Sequence, residues 1–210
     1  LRRLLPHAKV SFGLKILAFD PYAGVIGCGS PESLLQGQME VALLARYGRM
    51  PGHHFWSMAG GADAQAAAER MAGVLMGALA GVRHFGVAGR LQGEAFSLAQ
   101  LLVDLEIAAY VERLLRGQAG EDEPAEVQAG VEDGSFQGAE RTAAHYRAET
   151  LLQPLFTRRS LAQRAERGEP DLAERIRQRL AALDQPSPPY LAPEVRAELD
   201  RIYGHAEAHL

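Results

Sequence analysis

Three glycine-containing stretches carry the polar side chains best placed to contact a ligand. Each follows a short apolar run and precedes an amphipathic helix, which is the position where parallel α/β proteins gather their binding groups. The first stretch supplies a thiol and a hydroxyl, the second a hydroxyl and a carboxylate, and the third an amide and a carboxylate. In chain order the candidates are Gly27, Cys28, Gly29, Ser30, Ser57, Gly60, Gly61, Asp63, Gly89, Gln92 and Glu94.

The elements that must position these side chains are predicted from hydrophobic patterning and capping residues. Helices are predicted after Ser30, Asp63 and Ser97, because each can cap a helix whose apolar side chains recur every three to four residues. Short runs rich in Val, Ile and Phe indicate strands near residues 10–19, 24–29, 53–59 and 82–88. We expect the strands near residues 10–19, 53–59 and 82–88 to be parallel, each followed by a helix on the same side.

Three successive strand-to-helix units indicate an α/β fold with a parallel sheet wrapped by helices. Such a sheet is either open or closed into a barrel. A closed eight-unit barrel usually needs about 250 residues. This chain has 210 residues, and only three or four units precede its helical tail. The residues alone therefore leave two architectures open, a small open sheet and part of a barrel.

The chain changes character after Gly117. Residues 118–134 are acidic and poor in bulky apolar side chains, which is typical of a mobile connection. Residues 135–210 are predicted to form a helical C-terminal arm. We expect its first part, residues 135–159, to cover the helix that spans residues 97–116. The expected ion pairs join Asp104, Glu106 and Glu112 of that helix to Arg147, Arg158 and Arg159 of the arm.

Composition excludes several classes of protein. The formal net charge of -4 provides no field that would attract nucleic acid. A single cysteine excludes an internal disulfide framework. No apolar run is long enough to span a membrane as a helix. A cytoplasmic location is therefore the default.

Two further features concern the ends of the chain and its histidines. The opening Leu-Arg-Arg-Leu-Leu lacks a methionine and is typical of the interior of a longer polypeptide. The spacing of His53, His54 and His84 matches no metal template, so no metal site is predicted.

Longer motifs give a family resemblance. The run SLAQLLVDLEIAAYVERLLRG is followed after the acidic gap by GSFQGAERTAAHYRAETLLQPLFTRRS and DLAERIRQRLAAL, and upstream lie YAGVIGCGSPESLL and GGADAQAAAERM. Together these resemble the carboxyl-terminal half of the trimethylamine methyltransferase family. The resemblance implies a partial TIM-type (β/α) barrel over residues 1–117, then an acidic linker and the helical arm. The founding branch carries pyrrolysine near residues 47–60, and because this sequence has none, it resembles the branch without pyrrolysine.

The resemblance implies a reaction. Family members move a methyl group from a methylated amine to the cobalt of a separate corrinoid protein, so cobalamin would be carried by a partner and not bound by this chain. A quaternary amine such as glycine betaine is the expected substrate, and an aromatic ring can attract its cationic methyl groups. Residues expected at the corrinoid side are Cys28, Gly29 and Ser30. Residues expected to bind the amine are His54, Trp56, Ser57, Asp63, Gln65, His84, Gln92 and Glu94, while no catalytic residue is assigned.

Three departures from the family pattern leave enzymatic activity open. Ser135 stands where a histidine is expected, Gln92 stands where an acidic residue is common, and GGADAQ lacks the basic residue and the spacing that are usual just before the aspartate. The alternative is a truncated, noncatalytic relative that serves as a binding or assembly subunit, either as a homo-oligomer or by pairing with a missing barrel half. A phosphate-binding α/β enzyme is disfavoured, because no glycine turn forms GxGxxG or a P-loop.

Overall fold

The computed structural model describes residues 15–49, 52–54, 56–86, 88–92, 94–118, 124–183 and 191–208, without the side chain of His54. The chain divides into two compact units, Leu1–Ile176 and Arg177–Leu210. Within the described ranges the strands are β1 (Phe19–Asp20), β2 (Val25–Ile26), β3 (His53–His54), β4 (Phe85–Gly86), β5 (Arg90–Leu91) and β6 (Ala95–Phe96). The helices are α1 (Pro31–Ala45), α2 (Ala64–Leu79), α3 (Leu98–Arg116), α4 (Pro124–Glu132), α5 (Glu140–Glu149), α6 (Leu161–Arg167), α7 (Leu172–Leu183) and α8 (Pro193–Glu207).

Strands β3 and β4 are parallel, as the sequence predicts. His53 pairs with Phe85 and His54 with Gly86, and the His53 N–H donates to the carbonyl of His84 at 2.9 Å. Both strands are shorter than the predicted segments 53–59 and 82–88. After β3 the chain turns toward α2, because side-chain bonds from that helix hold residues 57 and 58.

The first predicted strand behaves differently. Residues 10–14 lie outside the described ranges, and β1 pairs with β2 in an antiparallel hairpin. The cause is local, because the Asp20 carboxylate accepts the Tyr22 N–H at 2.8 Å and the Ala23 N–H at 3.2 Å. Such bonds from an aspartate to the backbone just ahead of it fix a turn. The parallel strand predicted here is therefore wrong for the residues that are described.

Strands β5 and β6 form a second antiparallel hairpin, in which Arg90 pairs with Phe96 and Leu91 with Ala95. The strands of the described residues thus form three separate pairs. These pairs do not by themselves distinguish an open sheet from a partial barrel, so the partial TIM-type barrel stays a prediction.

The predicted starts of the three long helices are confirmed. The hydroxyl of Ser30 accepts the Ser33 N–H at 3.3 Å. Pro31 takes the first helical position of α1, where its missing N–H costs nothing. The Asp63 carboxylate caps α2 through the Ala66 N–H at 2.9 Å. Ser97 caps α3 through the N–H of Gln100 at 3.2 Å.

The core lies between α2 and α3 and beneath β3 and β4. Buried apolar side chains of α2 include Ala66, Val74 and Ala78, and those of α3 include Val103, Ile107 and Val111. A glycine in α1 and a glycine in α2 allow the side chains of β3 and β4 to pack closely against these helices. A Cβ at Gly77 would lie 3.1 Å from the Phe85 ring and 3.3 Å from the His53 ring, and one at Gly37 would lie 3.1 Å from His53. His53 is therefore a packed core residue between two helices.

The acidic segment contains more structure than the sequence predicts. Helix α4 occupies nine residues of it, beginning at Pro124. The fixed φ of a proline suits a helix start. Gly130 of this helix is buried against the ring of Phe136, which would collide with any Cβ at that position. The residue that packs against this helix lies in the following segment. The composition of the acidic segment alone therefore does not predict the helix.

The arm contacts α3, as predicted, but through different groups. Leu155 is only 3% exposed, and its N–H donates to the Glu106 carboxylate at 3.1 Å. Arg113 of α3 donates to the Glu149 carbonyl at 2.9 Å and to its carboxylate at 2.5 Å. The predicted ion pairs are wrong: Asp104 pairs with Arg70, Glu112 with Arg116 and Arg159 with Glu169.

Beyond this contact, Glu169 organises the next turn of the arm. Its side chain is only 4% exposed. It accepts from Thr157 at 2.5 Å and from Arg159 at 2.9 Å. These hydrogen bonds stabilise the charged form and hold the pKa of Glu169 below its ordinary value. Arg175 continues the network to the Leu155 carbonyl at 3.1 Å.

The next helix of the arm, α6, begins at the capping residue Ser160. The Ser160 hydroxyl accepts the Gln163 N–H at 3.2 Å, and the Gln163 side chain accepts the Ser160 N–H at 3.0 Å. This reciprocal pair is a complete capping box.

Candidate functional site

Three loops meet at the carboxyl ends of β3 and β4, and we call residues 27–30, 56–63 and 88–92 the strand-end site. Because β3 and β4 are parallel, the loops that follow them leave from one edge. The 27–30 loop touches the 56–63 loop at Gly29, and Gln92 bonds the same loop from the other side. The convergence of these three stretches was expected from the sequence.

Gly29 is required where the first two loops cross. A Cβ there would lie 2.8 Å from the carbonyl oxygen of Trp56 and 2.9 Å from the Cα of Ser57, both of which are backbone atoms that cannot swing away. The residue also has a φ of 88°. Glycine adopts this region without the steric penalty that a Cβ brings. A glycine at this position therefore allows the first loop to pack directly against the Trp56–Ser57 backbone.

Glu69 of α2 is the central acceptor of the second loop. Its carboxylate receives the Ser57 hydroxyl at 2.7 Å, the Met58 N–H at 2.8 Å and the Gln65 amide at 2.7 Å. Ser57 is 2% exposed, and its oxygen also accepts the Ala59 N–H at 3.0 Å. The Ser57 hydroxyl thus shapes the loop, and the carboxylate of Glu69 fixes that shape.

The third loop is tied to the second by Gln92. Its side-chain amide donates to the Met58 carbonyl at 2.7 Å. Gln92 has a φ of 48°, in the left-handed region. Few residues other than glycine occupy that region, and such strain persists where the surroundings impose it and is frequent at binding sites. The side chain itself is exposed at the edge of the site.

A buried ion pair holds the third loop from below. The Arg70 guanidinium donates to the Asp104 carboxylate at 2.9 Å, and both side chains are fully buried. Asp104 also accepts the Gly89 N–H at 2.6 Å and the Gln100 amide at 2.8 Å, while Arg70 donates to the carbonyl of Arg90. One polar network therefore connects α2, α3 and the loop that carries Gln92.

Burial dominates the electrostatics of this network. Desolvation raises the pKa of Asp104 above its ordinary value, although the hydrogen bonds from Gly89 and Gln100 and the charge of Arg70 oppose the shift. Desolvation likewise lowers the pKa of Arg70, against the attraction of Asp104. Each charge is tolerated in the interior because the other is present.

The residues expected at the corrinoid side lie together in the first loop. Cys28 is buried, and desolvation raises the pKa of its thiol, although the charges of Lys15 and Arg90 act in the opposite direction. Ser30 uses its hydroxyl to cap α1. The net shift in the pKa of Cys28 is upward, which is opposite to the shift that activates a nucleophilic cysteine.

The expected amine-binding residues are only partly brought together. Asp63 and Gln65 are exposed where α2 begins, and Trp56 is partly exposed in the loop that Glu69 holds. Glu94 is exposed in the β5–β6 turn. His84 lies before β4, at the opposite end of the strand from the strand-end site, so the structure separates it from the others. The side chain of His54 lies outside the described residues.

Sequence reasoning missed Glu69 and Arg70. A signal for them exists, because they are adjacent charges within the otherwise small and apolar run AQAAAERMAGVLMGAL. Arg70 falls on the same face as the buried residues Ala66, Gly73, Val74 and Gly77. A charge on a buried face predicts a buried partner, and here the partner is Asp104.

Metal-binding clusters and membrane-spanning helices are both absent from the described part of the chain. No three His, Cys, Asp or Glu side chains within the described ranges are grouped so that they could hold a metal ion. No helix in those same ranges combines the length and the apolarity needed to cross a membrane.

The chain is similar to known methyltransferases. The family described as "Trimethylamine methyltransferase (MTTB)" matches residues 1–207. "Trimethylamine methyltransferase MttB" of Methanosarcina barkeri is 34% identical over 116 residues, which cover 54% of this chain and 23% of that protein. "Trimethylamine methyltransferase MttB" of Methanosarcina thermophila is 34% identical over 115 residues, covering 53% and 24%. "Trimethylamine methyltransferase MttB2" of Methanosarcina mazei is 35% identical over 116 residues, covering 54% and 23%.

The matched part thus spans less than a quarter of the length of these curated relatives. The family match extends over nearly all of this chain, through the strand-end site and the arm. The chain belongs to the trimethylamine methyltransferase family.

Proposed function

We propose that this chain is part of a methyltransferase that takes a methyl group from a quaternary amine such as glycine betaine and delivers it to a corrinoid protein. Membership of the trimethylamine methyltransferase family supports methylamine chemistry in general. The quaternary substrate and the corrinoid partner are the finer parts of the proposal. They rest on the resemblance to the branch without pyrrolysine and on the composition of the strand-end site.

The observation that carries the proposal is the position of Trp56. This indole is partly exposed in a loop that is fixed on one side by Gly29 and on the other by Glu69. An aromatic face attracts a quaternary ammonium group by about 0.5–1 kcal/mol when exposed and by about 2 kcal/mol when desolvated. An aromatic residue on a held loop, at the carboxyl ends of parallel strands, is suited to hold a methylated cation.

Carboxylates strengthen this preference for a cation. Asp63 is exposed in the loop that follows β3, Glu94 is exposed in the turn between β5 and β6, and Glu69 adds a further negative charge beside the Trp56 loop. A positively charged nitrogen that is fully methylated carries no N–H and cannot donate a hydrogen bond. It is therefore recognised by charge and by aromatic contact, and the strand-end site offers both.

The chemistry requires positioning more than proton transfer. The corrinoid of the separate protein would supply a cobalt nucleophile that accepts the methyl group. The bond between the methyl carbon and nitrogen breaks, its electron pair stays on nitrogen, and the nitrogen of the amine product carries no charge. Because no proton moves, a site without a general base suits the reaction, and the residues of this chain serve to bind and orient the cation.

The test is calorimetric titration of the chain with glycine betaine. The neutral-headed analogue tert-butylacetate, which replaces the nitrogen with carbon, should bind at least about tenfold more weakly, because cation–π and charge attraction are lost. Trp56→Ala should weaken glycine betaine binding by a similar factor.

The control is Tyr203→Ala, which removes an aromatic side chain that is 68% exposed on α8. It should leave binding unchanged. Equal binding of the betaine and of its carbon analogue would contradict the proposal, and so would a Trp56 variant with full affinity.

A second candidate, the assembly subunit, is favoured by one observation on α1 and the residues just after it. Leu35, Met39, Leu43 and Tyr47 recur every fourth residue, and each is at least 42% exposed. An apolar stripe of this kind is typical of a surface that another chain or chain segment covers. Sedimentation of the chain distinguishes this candidate: a stable oligomer that binds no amine would favour it over the methyltransferase.

A further inference from the structure

A second cleft lies between α3 and the arm, away from the strand-end site. Its volume is about 330 Å³, at the lower end of the range for small-molecule sites. One wall is formed by the last turns of α3, the other by the end of α5 and the segment that follows it. None of its lining residues belongs to the strand-end site, so any ligand of this cleft is separate from the proposed amine.

The polar lining of the cleft is cationic. The lining includes one carboxylate, that of Glu112. It also includes three guanidinium groups, those of Arg113, Arg116 and Arg147. Glu112 contacts Arg116 at 3.4 Å, and both side chains are largely exposed. Solvent therefore weakens this pair. Among the described residues Arg147 bonds no carboxylate; it donates to the Tyr146 hydroxyl at 2.9 Å.

Arg113 gives the cleft a fixed floor. Its guanidinium donates to the Glu149 carbonyl at 2.9 Å, to the Glu149 carboxylate at 2.5 Å and to the Gly117 carbonyl at 2.5 Å. These bonds join α3 to the end of α5 and leave Arg116 and Arg147 as the cations available to a ligand. The two walls are therefore held at a constant separation before any ligand arrives, which lowers the entropic cost of binding.

The remaining lining is largely apolar. Ala109 lies on the α3 wall, and Ala148, Leu151 and Leu152 lie on the arm wall. Leu152 is 82% exposed, which leaves apolar surface unburied at the cleft. A ligand that contacts both kinds of surface needs a charged head and a short hydrocarbon part.

We propose that this cleft binds a small carboxylate with a short aliphatic tail. The carboxylate matches the planar, forked donors of Arg116 and Arg147. The tail covers Leu151 and Leu152, and the volume restricts the ligand to a short chain.

The experiment uses hexanoate as the probe and follows backbone amides of the full chain by proton–nitrogen correlation spectra. Hexanoate should shift the amides of Thr150, Leu151 and Leu152 with a dissociation constant in the millimolar range. Acetate, which has the head alone, and hexanol, which has the tail alone, should each bind at least about tenfold more weakly.

Matched arginine variants locate the site. Arg147→Ala and Arg116→Ala should each weaken hexanoate binding several-fold, while Arg158→Ala, an exposed arginine of the arm outside the cleft, should not. Unchanged urea midpoints show that the variants are folded. The proposal is overturned if hexanol or acetate equals hexanoate, if Arg158→Ala weakens binding as much as Arg147→Ala, or if these amides do not move.

Discussion

At the scale of single residues, the structure contains charged side chains at positions where the hydrophobic pattern of the helix predicts apolar ones. Arg70 occupies a buried position of α2, and the network around Asp104 compensates its charge. This pair is fully desolvated, unlike the exposed Glu112–Arg116 pair on α3. The two pairs are therefore expected to contribute very differently to stability.

The prediction is that Asp104→Asn destabilises the chain by about 3–5 kcal/mol, because it leaves the Arg70 charge buried without this counter-charge. Glu112→Gln, the matched control on the same helix, should cost less than about 1 kcal/mol because solvent screens its pair. Urea unfolding followed by circular dichroism measures both. Equal, small effects of the two variants would show that the buried pair carries no special weight.

The same residues show what the sequence reveals at this scale. The capping roles of Ser30, Asp63 and Ser97 follow from local rules and are confirmed. The role of Asp104 does not follow from such rules, because its partner lies 34 residues away on another helix. The expected pairing with arm arginines was wrong for this reason: surface charge counting cannot identify a carboxylate that faces the core.

At the scale of elements, the three long helices are well predicted and the strands are not. Helices are specified by caps and a period that the sequence displays along one element. The short strands depend on which neighbour the chain meets, and side chains such as Asp20 and Glu69 end or redirect them. The meeting of the loops after β3 and β4 could be predicted because it follows from the parallel order of these two strands. The first loop joins them through the close approach of Gly29 to the Trp56–Ser57 backbone, which strand order alone does not predict.

Packing of the arm on α3 gives the prediction at this scale. Leu155 is 3% exposed, and its N–H bonds Glu106. Leu155→Ala should therefore destabilise the chain by about 2–5 kcal/mol, since it leaves a cavity at the contact between the arm and α3.

The control is the same substitution at the exposed position 152. Leu152 is 82% exposed. Leu152→Ala should therefore alter stability by no more than about 0.5 kcal/mol, as is usual for surface substitutions. Thermal unfolding compares the two variants, and similar midpoints would mean that the Leu155 contact is loose.

At the scale of the whole molecule, the arm and α3 depend on each other. Glu106 is 6% exposed and receives hydrogen bonds from the arm, including the Leu155 N–H. Burial raises the pKa of Glu106, while the backbone N–H groups of Leu155 and Phe156 oppose the shift. Other side chains of α3 are apolar and already exposed, namely Leu105, Leu114 and Leu115. Loss of the arm would therefore uncover further surface of α3, a helix that already exposes apolar side chains to solvent.

The last prediction follows from this dependence: removal of residues 135–210 should make the chain aggregate, because newly exposed apolar side chains promote association. Light scattering and sedimentation at increasing protein concentration measure the effect. The control removes only residues 184–210, since every described residue of this tail, including all of α8, is exposed. It should stay monodisperse at concentrations where the longer deletion aggregates. If the longer deletion remains soluble with the same melting temperature as the full chain, the arm covers no surface that the fold requires.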